Sequence, residues 1–588
     1  MNLSIRGLCG AIGSAGLSLV LVGCTTTPVQ VTPQTVAQDA VPVVAERSAD
    51  AEYSVELPHV EMTPEILYQL LVAETALQRG HYAMGLVQYY RLAQKTRDPR
   101  LAAKATRIAV FVRDRQAALQ AAQLWVEIDP VNLMARQAVS AAYIRNGNPD
   151  AALEHLEYVL AQEDDGTERG FMLVASLLSR EQDLQSALKV MEHLVESREQ
   201  SDAAWYAYAQ LALRAKMVEK ADAGVKRSLH LKPENTNAVL LQARIMRLKG
   251  DKEAAVDYLG QQVKSFPAET VLRLTYARQL VDVRDYEAAY TQYKIVIKQT
   301  PGDVDVLFAL GLLALQLGEQ ESAYEYLSQA NETGRRVDDA RFYLGQLEEL
   351  RENLDAAMVH YSFVERGDNL VESRVRQAMI AAQLGDVDKA RDYLHSLHLT
   401  APAQRQRIFL IEGEILRNAE RHQEEMVLYN HALSEMAGSV PLLYARALAA
   451  ERLNQLDVTE RDLKQILDDD ADNIDALNAL GYTLADRTDR YQEAYAYIKR
   501  ALELRPNDNA ILDSMGWVLY RLGQYNEAIK MLRKSLEISL DPEVAAHLGE
   551  VLWVNGERED AREIWTQALE ISPGDKRLLN IMEQFIKK

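Results

Sequence analysis

The chain has 588 residues, too many for one ordinary compact domain, with 48% hydrophobic and 26% charged residues, the balance of a folded globular protein. Its net charge of −21 opposes tight binding to nucleic acid, where phosphate neutralisation supplies most of the affinity. It also opposes adsorption to anionic membranes.

Residues 1–23 read as a bacterial lipoprotein signal. Arg6 and the amino terminus open it, Leu8 to Val22 is a run of small and apolar residues, and Leu21-Val22-Gly23-Cys24 closes it. The run is short for a membrane span, which needs about 20 apolar residues, and polar Thr25-Thr26-Thr27 follows. The ending resembles a lipobox, which implies cleavage before Cys24 and acylation of that cysteine. Thr25 stands where Asp favours inner-membrane retention in such lipoproteins, so the expected address is the outer membrane, facing the periplasm. The only other cysteine, Cys9, leaves with the signal, so the mature chain has no pair for a disulfide. Residues 24–60 carry the lipidated cysteine and a disordered tether rich in Thr, Pro, Val, Gln and Ala without helical period. Its reach is roughly 30–35 Å as a coil and about 120 Å stretched.

From residue 61 the chain repeats. Aligned on the first small residue of each unit, the series runs Ala73, Thr106, Ser140, Ala175, Ala209, Ala243, Ala277, Gly311, Gly345, Ala378, Gly413, Ala447, Gly481, Gly516 and Gly549. These fifteen units have a period of 34 residues, and no step departs from it by more than one. A second small residue follows twelve positions later (thirteen in the Gly481 unit). It is Ala in twelve units, the exceptions being Gly85, Glu425 and Thr459. Proline recurs at the handovers: Pro130, Pro233, Pro267, Pro301, Pro402, Pro506 and Pro573. It stops one helix and opens the turn to the next.

The clearest copy, Asn509 to Pro542, reads as two helices. Leu512, Met515, Gly516 and Leu519 share a face of the first; Gly523 ends it; Ala528, Leu532, Ser535 and Leu536 line the second. This spacing resembles the tetratricopeptide repeat (TPR), with Met515, Leu519 and Leu532 at the pattern's large positions. The resemblance implies an all-α superhelical solenoid of about fifteen helix-turn-helix units. Residues 61–400 form an N-terminal arc, 401–576 a C-terminal arc and 577–588 a capping helix. Leu578, Ile581, Met582 and Phe585 of that helix should face inward. Glu425 and Thr459 should loosen their units, and the irregular handover from Leu397 to Val440 is the place for a bend between the arcs.

No catalytic motif is recognisable. His-Glu-x-x-His, a phosphate-binding Gly-x4-Gly-Lys-Ser/Thr loop and Gly-x-Gly-x-x-Gly are all missing. The mature chain also lacks a Gly-x-Ser-x-Gly elbow and a free thiol. Two constellations resemble metal sites. Asp388, Asp392, His395 and His398 have helical spacing, but a polar helix surface explains them and no fourth-ligand pattern completes them. Asp468, Asp469, Asp470 and Asp472 resemble the start of a calcium loop, yet Asn473 and Ala479 hold the places of its Gly and Glu. The expectation is therefore no metal, no cofactor and no enzyme.

In TPR proteins the concave surface is lined mainly by the first helix of each unit. Carried onto this chain, that surface shows Tyr206, Arg244, Arg247, Arg278, Phe308, Leu312 and Phe342 in the middle, and Asp513, Trp517, Tyr520, Glu550 and Trp553 at the end. Exposed aromatics and arginines are what interface hot spots use. The Lys/Asn set that clamps chaperone carboxylates does not stand at the corresponding places.

Signal, lipobox, tether and fifteen units together resemble the large outer-membrane TPR lipoproteins of Gram-negative bacteria, and among them the lipoprotein binding partners of carboxyl-terminal processing proteases (the LbcA type). This resemblance implies a non-enzymatic adaptor that binds and supports a periplasmic PDZ-containing serine protease and brings it peptidoglycan hydrolases as substrates. The alternative is an assembly scaffold for pilus or secretin biogenesis or for polysaccharide export, since such lipoproteins share the signal and the repeats.

Overall fold

A computed structural model describes residues 57–162 and 168–586. The signal, Cys24 and most of the tether lie outside the described residues. Among those described there are 31 helices and no strand, and no helix is long and apolar enough to cross a membrane. The helices form fifteen consecutive hairpins of a helix A and a helix B, followed by the helix Lys576–Ile586. The fold is the TPR solenoid that the period implies.

The chain divides into two compact units, Met1–Arg335 and Arg336–Lys588. The first holds the hairpins from the Ala73 repeat to the Gly311 repeat, and the second those from the Gly345 repeat onward. The handover at 397–440 lies within the second.

The Gly516 hairpin shows why the sequence folds this way. Asp508 caps helix A, Asn509–Arg521, by accepting hydrogen bonds from the Ala510 and Ile511 amides at 3.0 and 3.2 Å. Gly523 then turns the chain in the left-handed region at φ +76°, and helix B runs Tyr525–Ile538. The helices meet at Gly516. A Cβ there would lie 2.5 Å from Leu532 Cγ and 3.2 Å from the Ala528 carbonyl. The same contact sets Gly345 under the Tyr361 ring and Gly549 under Trp565. Tyr361 and Trp565 are fully buried, so these rings cannot swing aside.

Two further regularities sit on the 34-residue frame. Seven residues after the first small position the backbone is left-handed in thirteen of fifteen repeats. Glycine holds that place in seven of them, and Arg113, Lys216, Arg284, Glu352, Glu420 and Asn454 in the other six. The helix A cap lies two residues beyond the handover proline, as in Pro130 to Asn132, Pro233 to Asn235, Pro301 to Asp303 and Pro506 to Asp508. Pro402 instead starts helix A itself, Pro402–Asn418.

Neighbouring repeats are also tied by ion pairs separated by about one period. Examples are Arg97–Glu127 at 2.7 Å, Lys220–Glu192 at 2.7 Å, Arg490–Glu460 at 2.6 Å and Arg500–Asp472 at 2.8 Å. Exposed pairs of this kind contribute little each, roughly 0–1 kcal/mol, and burial of apolar side chains between hairpins carries the stack.

Glu425 and Thr459 do not loosen their repeats. Thr459 is fully buried, and its hydroxyl donates to the Ala447 carbonyl across the hairpin at 3.1 Å. Glu425 is 2% exposed and lies 3.3 Å from Arg452 Nη1 and 3.4 Å from His422 Nδ1. Burial pushes its carboxyl above the usual range, and Arg452 and His422 oppose that. Polar pairing thus replaces small-residue packing at both positions.

Candidate interaction surface

The arginines of the middle repeats are exposed. Arg244 and Arg247 project from helix A Thr236–Leu248, and Arg278 from the next helix A, Thr270–Asp282. Arg244 and Arg278 hold the same place in successive repeats. Arg247 Nη2 pairs with Asp282 at 3.0 Å and joins the two helices. Burial pushes the hydroxyl of the buried Tyr293 up, and the charge of Arg278 opposes that rise. Leu248 beside them is 57% exposed. Two exposed charged guanidinium groups one repeat apart suit an acidic extended segment.

The aromatic members of the expected surface, and Leu312 with them, behave differently. Tyr206, Phe308, Leu312, Phe342 and Trp517 are all buried. Tyr206 Oη accepts from Gln210, and burial raises its pKa. Phe342 packs on Tyr343 and Tyr361 at ring distances of 5.2 and 5.9 Å. These side chains are walls of the stack, because hydrophobic residues at the middle of helix A are taken up by their neighbours before any partner arrives. Tyr520 and Trp553 are half-buried. The Tyr520 hydroxyl donates to Glu550 at 3.0 Å, and Trp553 stacks on Trp565 with Arg558 and Arg562 over its face at 5.3 and 5.4 Å.

His547 joins this cluster. It lies in helix A Pro542–Asn555, its Nδ1 2.9 Å from Asp513 of the preceding helix A and its ring stacked 4.3 Å from Trp517. Burial lowers its pKa, but the Asp513 carboxylate, with Glu543 and Glu550, outweighs burial and leaves it raised. Glu550 is raised by burial. The sequence offers one signal for this pair: Asp513 and His547 are 34 residues apart, the period of the repeat. His547 precedes Gly549 by two, a packing place, so it escapes a search for groove residues.

Several members of the metal-like constellations are taken up in ion pairs and hydrogen bonds. The helix carrying Asp388 and Asp392 ends at His395, so His398 lies beyond it. Asp388 pairs with Arg421 at 2.7 Å, and His395 Nε2 lies 3.0 Å from Glu412, which also holds Arg391 at 2.8 Å. In the acidic run Asp472 holds Arg500, and Asp470 accepts from the Asp472 amide at 3.2 Å. Among the described residues no group of three or more His, Cys, Asp or Glu is placed to hold a metal ion. One open cleft of about 540 Å³, walled by Leu229, Met246, Tyr258 and Phe266, lies between the Ala209 and Ala243 repeats.

Comparison with known proteins agrees with this architecture. Tetratricopeptide-repeat profiles match residues 274–335, 472–541 and 514–576. The TPR repeat-containing protein PA4667 of Pseudomonas aeruginosa is 33% identical over 540 residues, covering 91% of this chain and 89% of that protein. Among solved structures, that of Pseudomonas aeruginosa pilF is 19% identical and covers 38% of this chain and 99% of its own, with a TM-score of 0.30. Naa15/Naa10 bound to HypK-THB is 14% identical over 89% of this chain and 100% of that one, also at 0.30. At such scores neither structure bears on function. The identity and coverage of the Pseudomonas relative do bear on kinship: the chain belongs to the family of tetratricopeptide-repeat proteins that includes PA4667.

Proposed function

We propose that this protein is a non-enzymatic adaptor, anchored through Cys24 to the outer membrane and facing the periplasm. In this reading it binds and supports a PDZ-containing carboxyl-terminal processing protease and delivers peptidoglycan hydrolases to it. A TPR stack presents surface for protein partners rather than a reaction centre, which supports the adaptor class. The observation that carries the finer reading is the layout: a lipobox ending at Cys24, a tether to residue 60 and fifteen repeats filling the rest. The exposed Arg244, Arg247 and Arg278 are the proposed contacts for an acidic segment of a partner. Tyr520 and Trp553 are proposed contacts at the last repeats, with the buried Trp517 ring 5.3 Å from Tyr520; the buried Tyr206, Phe308, Leu312 and Phe342 serve the stack.

Affinity capture tests the reading. The mature chain without its lipid is immobilised, periplasmic extract is passed over it, and the retained proteins are identified by mass spectrometry. Recovery of a PDZ serine protease together with cell-wall hydrolases is the expected result. It should weaken when Arg244 and Arg278 are both replaced by Glu. Recovery of secretin, pilus or polysaccharide-export components instead would replace the adaptor with an assembly scaffold.

A further inference from the structure

Within each unit, every helix A after the first uses one stripe to pack on the repeat before it. The stripe holds the residues five and two before the first small position and two after it. In the thirteen repeats that follow another within the same unit, the residue five before is buried twelve times, as in Ala135, Leu272, Val306, Leu442 and Ile511, and half-buried once, at Leu101. The residue two before is never exposed in those thirteen, and the residue two after is buried in twelve of them. In the first repeat the same three places are Tyr68, Leu71 and Thr75 on helix A Pro64–Gln78. Tyr68 is 68% exposed, Leu71 56%, and Thr75 is exposed as well. With Leu67 and Gln78 they make a stripe along the helix that contains no charged residue.

We infer that this stripe is a binding seat, and that its occupant is an amphipathic helix of a partner protein, docked where a preceding helix B would stand. Continuity with the repeat interface argues for a helix, because the homologous seat is filled by the preceding repeat throughout the rest of each unit. The chain also shows what covers an end of its own stacking. In the second unit Lys576–Ile586 buries Leu578 completely and sets Phe585 against Trp553 and Trp565. The apolar residues of that helix recur at Leu578, Ile581, Met582 and Phe585. The sequence before the seat argues against itself as the occupant, since residues 25–60 read without a helical period and carry Pro28, Pro33 and Pro42. A second copy is disfavoured by a net charge of −21 on each chain. The occupant therefore has an apolar stripe at three- and four-residue spacing, a small residue where it crosses Thr75, and a neutral or basic outer face. This seat is separate from the arginines of the middle repeats, and either surface can fail without the other.

The test places the photo-crosslinking residue p-benzoylphenylalanine at position 68 of the full-length protein in its native cells, and the crosslinked peptide is sequenced. The expected product joins position 68 to a helix-patterned segment of another protein. Leu71→Glu in the same chain should cut its yield at least tenfold, while Arg244→Glu with Arg278→Glu leaves it unchanged. Leu71 is exposed, so the midpoint of denaturant unfolding of Leu71→Glu should match that of the wild type, which separates lost docking from lost folding. A crosslink to residues 25–56, a crosslink to a second copy, no crosslink, or a yield indifferent to Leu71→Glu would overturn the inference.

Discussion

Gly549 lies against the indole of Trp565, and a methyl group there would stand 2.6 Å from its Cδ1. Gly549→Ala should lower the stability of the last repeats by roughly 1–3 kcal/mol through overpacking, read as a lower denaturant midpoint; an unchanged midpoint would refute the contact. The opposite sign is expected at the hairpin turns. Lys216 and Glu352 sit at φ +60° where other repeats have glycine. Left-handed backbone costs a side-chain-bearing residue about 1–2 kcal/mol, and the extra chain entropy of glycine takes back part of that. Lys216→Gly and Glu352→Gly should therefore each stabilise by up to about 1 kcal/mol, and a fall in midpoint would contradict the turn geometry. At this scale the sequence is legible where size is the constraint. Gly516 and Ala528 announce a close approach, because nothing larger fits. The turn at Lys216 is silent, because a lysine side chain does not reveal its φ.

Helix pairs bring in partners that local reading does not reach. Glu425 interrupts the small-residue series, and the side chain that satisfies it, Arg452, comes 27 positions later on the next helix A. Removing the partner should hurt more than removing the anomaly. Arg452→Leu strands a buried carboxylate and should cost about 3 kcal/mol, whereas Glu425→Ala restores the alanine of twelve other repeats and should cost much less. Equal losses in the two unfolding curves would count against the pair. The His547–Asp513 pair gives a pH dependence. His547 has its pKa raised in the folded state, so its contribution is present below the unfolded value of about 6.5 and is lost as pH rises through the folded value. Glu550, also raised, acts in the same direction from about pH 4.5 upward. The last repeats should thus be less stable at pH 8.5 than at pH 6, and Asp513→Asn should flatten the difference; the reverse slope, or a slope unaltered by Asp513→Asn, would refute the assignment. The hairpins and their boundaries were readable from periodicity. Accessibility of the helix A face was not, because Phe308 and Trp517 have the composition of hot spots and the burial of core.

At the scale of the whole molecule the 34-residue period was decisive, since a generic helical bundle has no reason to hold one length through fifteen units. Period alone fixes packing positions and leaves the partners open, as residues at those positions serve the stack in every TPR protein. The proposed outer-membrane address rests on reading residues 1–24 as a lipoprotein signal. Cys24→Ser should move the protein from the membrane fraction to the soluble fraction, and continued sedimentation with membranes would remove the lipid anchor from the account. The adaptor claim is tested most directly by reconstitution. The purified mature chain is mixed with a purified carboxyl-terminal processing protease and a peptidoglycan hydrolase, and hydrolase cleavage is followed with and without the chain. The account predicts a stable complex and cleavage accelerated by the chain, with the acceleration reduced by Arg244→Glu and Arg278→Glu together. Cleavage at the same rate with and without the chain, and no complex between chain and protease, would contradict it.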